Sequence, residues 1–141
     1  RCYPGTRLKV IANIEKWIKD GGDRPVLWLN GPAGSGKSAI AQTIAELYNQ
    51  QICASFFFLR GGGQRSRIQL LIPTLVHQIT LSMPITKEII QNVLEQEPYI
   101  YHQQALQHQL EKLLINPVRA ARKGFIKKKK SLIIIDALDE C

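Results

Sequence analysis

Cysteine is scarce in this chain and forms no pattern. Cys2, Cys53 and Cys141 are odd in number and share no metal-ligand spacing. That argues against a disulfide framework or a zinc module and suits a reducing, cytoplasmic setting, with Cys53 expected as a small core residue. No apolar run approaches the ~20 residues of a membrane-spanning helix, and no signal-peptide pattern opens the sequence. The first residue is Arg1 rather than methionine, as expected of an excised part of a longer product. Repeats are lacking, as is low complexity beyond one lysine run. Acids are in the minority: 11 Asp and Glu against 19 Lys and Arg give a net charge of +8. Such an excess raises nucleic acid or an acidic membrane as partners. Much of it is local, in Arg119, Arg122, Lys123 and Lys127 to Lys130. No aromatic-interleaved or groove-reading pattern accompanies it. A solvated loop whose charges deter strand-edge aggregation is the preferred reading, and nucleic acid is not expected as a partner.

What is present begins with size. At 141 residues and 45% hydrophobic content, the chain is about one domain, able to bury roughly two-thirds of its unfolded surface. Its organising stretch is Gly31-Pro32-Ala33-Gly34-Ser35-Gly36-Lys37-Ser38, which fits G-x-x-x-x-G-K-[ST]. Glycines keep side chains away, so successive backbone N–H groups can curl around a polyphosphate. Lys37 would reach the outer phosphates and the Ser38 hydroxyl would sit on Mg²⁺. The flanks suit the motif. Val26-Leu27-Trp28-Leu29 reads as a buried strand, and Ile40, Ile44 and Leu47 recur at helical spacing. Strand, glycine loop and helix N-terminus together make a phosphate site.

Upstream, a Cys2–Arg7 loop precedes an amphipathic helix with Leu8, Ile11, Ile14 and Ile18 on one face. Thr6 is its expected N-cap and Asp20-Gly21-Gly22 its end. Downstream, Ile52 to Leu59 is an apolar run without alternation, the pattern of a strand covered on both faces. A basic loop, Arg60 to Arg67, follows. Ile68 to Ile79 then has helical spacing, with Pro73 either starting or kinking the helix. Ile89 to Leu94 marks a helix capped by Thr86 and stopped before Pro98, and Leu106 to Leu114 another, ending near Asn116-Pro117. Leu132 to Ile135 reads as a second buried strand. Strands alternating with helical stretches predict a three-layer α/β fold with a mostly parallel sheet.

Leu132 to Glu140 reads LIIIDALDE. Ligands of open parallel sheets sit at the C-terminal strand ends, which makes Asp136 the natural partner of Ser38 on Mg²⁺. Asp139 and Glu140 lie three and four residues on, where a carboxylate can polarise a water for attack on phosphorus. Glu140 is narrowly preferred over Asp139.

These residues carry a family resemblance. GPAGSGKSAIAQTIA, SFFFLR and LIIIDALDEC, after an opening CYPGTR and the Trp17 helix, resemble the NACHT-type P-loop NTPases, closest to nephrocystin-like NACHT modules of large fungal signalling proteins. The resemblance spans essentially the whole chain and implies a STAND-class switch ATPase. It would bind ATP or ADP with Mg²⁺, hydrolyse slowly, and self-associate through the full module, between effector and repeat domains of the parent chain. ATP rather than GTP is implied by the resemblance, as no guanine-reading N-K-x-D appears. Carried over, Lys37 and Ser38 contact phosphate and Mg²⁺, Asp136 is the Walker-B acid, and Asp139 and Glu140 are the following acidic pair. The Gly5-Thr6-Arg7 turn sits where related proteins place a motif close to the adenine, and a plain helix cap is its equal alternative. Arg60 could sense phosphate, although a solvated arginine is the commoner case.

Along the module, 1–24 would be the opening loop and helix, 25–60 the strand, phosphate loop, helix and strand, 61–131 a helical segment with the basic loop, and 132–141 Walker B. A complete module continues past Walker B, and its next strand normally lies between the Walker-B and phosphate-loop strands. The resemblance therefore implies a sheet incomplete at the C-terminal end, with residues 1–141 alone folding poorly and hydrolysing negligibly. A P-loop kinase and a nucleotide-binding scaffold without turnover are the alternatives.

Overall fold

The apolar run after Gln51 becomes strand β1 (Ile52–Phe57), and the run before Asp136 becomes strand β2 (Leu132–Asp136). They pair in parallel, which requires a long crossover between them. Helices supply it: α3 (Leu71–Ser82), α4 (Thr86–Gln96), α5 (Ile100–Gln103), α6 (Leu106–Leu110) and α7 (Asn116–Arg122). The computed structural model describes residues 5–21, 23–58, 67–123 and 131–138. It divides into two compact units, Arg1–Gln50 and Gln51–Cys141. The first holds helices α1 (Leu8–Asp20) and α2 (Lys37–Leu47). Among the described residues, the architecture is mixed helix with a two-stranded parallel sheet, compatible with an α/β class.

In the second unit, β1 buries Cys53, Ala54 and Phe56 against α3, whose stripe Leu71, Ile72, Leu75, Val76 and Ile79 is almost wholly enclosed. Ile90, Ile100, Leu113 and Leu114 complete that core. The ladder shifts between Ile52 and Ala54, opposite Leu132 and Ile133, so Cys53 is an extra residue in β1. Its thiol donates to the Leu132 carbonyl at 3.3 Å. Burial pushes that thiol's pKa up, which keeps it a protonated core group as its place in an apolar run implied. The outer edge of β1 is closed by side chains of α3. Gln78 accepts from the Ser55 N–H at 2.8 Å and donates to the Ser55 carbonyl at 2.9 Å, and the Ser82 hydroxyl donates to the Cys53 carbonyl at 2.9 Å. One glutamine amide thus occupies the place of a neighbouring strand, the satisfaction that buried backbone groups require.

Several expectations need correction. Residues 26–29 form no strand, and Val26 and Trp28 are 75% and 74% exposed. A strand exists through its neighbour's ladder, and no described residue supplies one there. β2 is covered less fully than its composition suggested, for Ile133 and Ile135 remain 44% and 41% exposed while Leu132 and Asp136 are buried. The N-cap of α1 is Arg7 rather than Thr6. α4 is not capped by Thr86; it begins on that residue, whose buried hydroxyl donates back to the Met83 carbonyl at 2.7 Å. Pro73 neither starts nor interrupts α3, since it falls in the first turn, where its missing N–H has no intrahelical partner to lose. The last helical stretch does not end at Pro117. A π turn (Glu111–Ile115) joins α6 to α7, and the chain stays helical to Arg122. The widened turn shifts the hydrogen-bond ladder ahead of Pro117, leaving room for a residue without an N–H.

Gly21 ends α1 for a steric reason. A Cβ there would collide with the Trp17 carbonyl oxygen and lie 2.9 Å from Trp17 Cδ1. The turn is then locked, as Gly21 N–H donates to the Trp17 carbonyl and the Trp17 indole N–H to the Arg24 carbonyl at 2.8 Å.

Candidate functional site

The loop from Gly31 to Ser38 is shaped almost entirely by its own residues. Asn30 Oδ1 accepts the Gly31 N–H at 2.8 Å, and Ser35 N–H donates to the Pro32 carbonyl at 3.2 Å. Between and beyond these bonds the chain must turn sharply. Gly34 has φ 74° and Gly36 φ 87°, left-handed values that glycine adopts at no steric cost. Space is short at Gly31 also, where a Cβ would come to 3.0 Å of Ser35 Oγ. Helix α2 then starts at Lys37. Its first-turn amides have no carbonyl four residues back within the helix and stand at the positive end of its dipole.

Lys37 folds over the loop it follows. Its Nζ donates to the Gly31 carbonyl at 2.8 Å and the Pro32 carbonyl at 3.1 Å. Phosphate oxygens are stronger acceptors than peptide carbonyls, so an anion in the loop can compete for this ammonium. Pro32, Ala33, Gly34 and Ser38 are exposed, and Ser35, Gly36 and Lys37 half-buried. The loop contains no carboxylate. Backbone donors, a helix N-terminus and an ammonium without a competing acid make a receptor for anions.

The Gly5-Thr6-Arg7 turn belongs to the same unit. Gly5 (φ 80°) and Arg7 (φ 60°) both take left-handed backbone, and Arg7 caps α1. A Cβ built on Gly36 would lie 4.0 Å from Arg7 Nε. The structure therefore brings Arg7 near Gly36 of the Gly31–Ser38 loop, a proximity that sequence spacing gave no means to see.

Asp136 belongs to the second unit. It pairs with Phe57, and its carbonyl accepts the Phe58 N–H at 3.1 Å. Asp136 is 9% exposed, and its carboxylate has no hydrogen-bond or ionic partner among the described residues. A carboxylate at the C-terminal end of a parallel strand is a hard oxygen donor of the kind that can hold a divalent cation. Among the described residues no cluster of three or more His, Cys, Asp or Glu could hold a metal. Ser38 lies in the first unit and Asp136 in the second, and each is placed within its own unit. Asp139, Glu140, Arg60 and Lys127 to Lys130 lie outside the described residues.

One charged cluster stands apart from these features. Glu97, at the C-terminal end of α4, meets His108 Nε2 at 2.7 Å and Lys112 Nζ at 3.7 Å. The His108 hydrogen bond foremost holds the Glu97 carboxyl below the usual glutamate range. It ties α4 to α6 and the π turn and has the geometry of a structural clasp. No helix among the described residues is long and apolar enough to cross a membrane.

The family model described as nephrocystin 3, N-terminal, matches residues 6–141 of the chain. No curated protein and no solved structure matches it.

Proposed function

The chain belongs to the nephrocystin 3 N-terminal family, and from that premise we propose that it is the ATP–Mg²⁺-binding part of a STAND-type signalling switch ATPase on a three-layer P-loop fold. The observation that carries the reading is the loop itself. Left-handed glycines at Gly34 and Gly36, the α2 N-terminus and the Lys37 ammonium held on the Gly31 and Pro32 carbonyls form an anion cradle free of acids. Gly31 to Ser38 hold the polyphosphate through backbone amides, and Lys37 binds its outer phosphates. Ser38 and Asp136 are the residues that would hold Mg²⁺, which when bound would supply positive charge to the phosphates. Glu140, with Asp139 beside it in sequence, positions and deprotonates the attacking water.

Turnover is slow in this reading, because a switch uses nucleotide state to set its conformation, and self-association through the complete module follows the ATP-bound state. Cytoplasmic placement and neighbouring effector and repeat domains belong to the same proposal. The test separates binding from chemistry and uses the full-length protein, since residues 1–141 alone are expected to hydrolyse negligibly. Lys37→Ala abolishes ATP binding by calorimetry, while Glu140→Gln keeps ATP affinity and stops phosphate release. Unchanged ATP affinity in Lys37→Ala contradicts the nucleotide site. Binding without magnesium-dependent phosphate release in the unmutated protein would make it a scaffold rather than an ATPase.

A further inference from the structure

We infer that Asn30 is a positioning residue for the loop, presetting through Gly31 the carbonyl on which Lys37 rests; this rests on the nucleotide reading of Gly31 to Ser38. The contact is direct. Asn30 Oδ1 accepts the Gly31 N–H at 2.8 Å. At the other end of the same glycine, the Gly31 carbonyl accepts Lys37 Nζ at 2.8 Å. Between the two, the Ser35 side chain closes over the Gly31 Cα, since a Cβ added there would come to 3.0 Å of Ser35 Oγ and 3.8 Å of Ser35 Cβ. Gly31 is thus held at its N–H, its Cα and its carbonyl, each time by a different side chain. Asn30 is exposed and caps neither α1 nor α2, so neither burial nor capping accounts for a carboxamide there.

Glycine has wider backbone freedom than any other residue, so a carbonyl on an untethered Gly31 would keep no single direction. The Asn30 bond fixes the peptide plane that enters Gly31, the first of the elements that set where its carbonyl points. The ammonium that answers the phosphates is thereby parked in one place before a ligand arrives, which lowers the ordering cost of binding. The neutrality of Asn30 is as informative as its reach. Aspartate is the same length and a stronger acceptor for an N–H, yet it would add a carboxylate beside a loop that contains none. Asparagine supplies the acceptor and leaves the field of the cradle positive.

Calorimetric titration of the full-length protein with magnesium-free ATP tests this, because Asp136 then takes no part. The proteins compared are the unmutated one, Asn30→Ala, Asn30→Asp and Lys37→Ala, at about 0.01 M and about 1 M ionic strength, where the Debye length is about 30 Å and about 3 Å. Asn30→Ala should weaken ATP about fivefold at both ionic strengths, the worth of one hydrogen bond. Asn30→Asp should bind more weakly still at the low ionic strength and return to within about twofold of the unmutated protein at the high one, where its added charge is screened but its acceptor remains. Both Asn30 variants should melt with the unmutated protein, since the bond is local and exposed. Unchanged affinity in Asn30→Ala while Lys37→Ala loses ATP would overturn the inference alone. So would an Asn30→Asp variant that stays as weak as Asn30→Ala at high ionic strength, and so would a loss of affinity matched by a fall in melting temperature. If Lys37→Ala binds ATP as the unmutated protein does, the nucleotide reading itself fails and the inference falls with it.

Discussion

The Gly31–Ser38 loop and the strand that presents Asp136 are built by opposite means. Among the described residues, the hydrogen bonds that shape the loop join residues at most six apart: Asn30 to Gly31, Pro32 to Ser35, and Lys37 back to Gly31 and Pro32. Asp136 instead depends on a partner strand far away in sequence, with the Cys53–Leu132 hydrogen bond spanning 79 positions. A core of helices between the two strands holds that pairing. The first region is a local device that glycines and one lysine suffice to specify. The second exists only when the fold does, so damage to the core should reach Asp136 long before it reaches Lys37.

The largest effect that tests this contrast is Ile79→Ala. Ile79 is 0% exposed at the centre of the α3 stripe, and its truncation should cost about 2–5 kcal/mol. Urea unfolding followed by far-UV circular dichroism reads the loss. A cost below about 1 kcal/mol would show that the strand pair does not lean on this core.

Gly21→Ala is the local counterpart. The added methyl meets the Trp17 carbonyl and indole, an overpacking that should cost about 1–3 kcal/mol. Both tryptophans, Trp17 and Trp28, fall in the first unit, so tryptophan fluorescence is the appropriate probe. An unchanged urea midpoint would mean that the end of α1 yields freely and that its geometry is less determined than the contrast requires.

The smallest effect concerns acid. A carboxyl held low in the folded state adds stability above its unfolded-state pKa, and that contribution is lost as pH falls through the folded value. Glu97, held low chiefly by His108, is such a group. Its contribution is therefore intact near neutrality and fades below the ordinary glutamate pKa of about 4.3. Glu97→Gln should flatten that acid limb of the Tm against pH curve slightly. A variant curve that only shifts down, with the same acid slope, would remove Glu97 from the account.

How far sequence carries follows the same division. The loop, its helix and the lysine were legible because motif and geometry occupy the same few residues. The strands 52–57 and 132–136 were legible as apolar runs, and their parallel pairing followed from the helical stretches between them. Val26 to Leu29 misled, because an apolar run announces burial without naming the partner that must hydrogen-bond it. Pro117 misled in the other direction: a π turn ahead of it lets a helix pass where proline ordinarily stops one. Gln78 was invisible as an edge-closing residue, since nothing in an apolar helix marks which strand its amide will meet. The Arg7–Gly36 proximity was hidden from the spacing, because Arg7 and Gly36 sit on either side of the whole of α1, and only the family resemblance put the Gly5-Thr6-Arg7 turn near the same site.

The central claim is that the local loop and the long-range strand serve one nucleotide. Its most direct test is the magnesium dependence of ATP affinity in the unmutated protein and in Asp136→Asn, titrated with and without Mg²⁺ at matched ionic strength. The account predicts that Mg²⁺ tightens ATP in the unmutated protein and that Asp136→Asn abolishes the tightening while leaving magnesium-free affinity unchanged. Full magnesium enhancement in Asp136→Asn would contradict it.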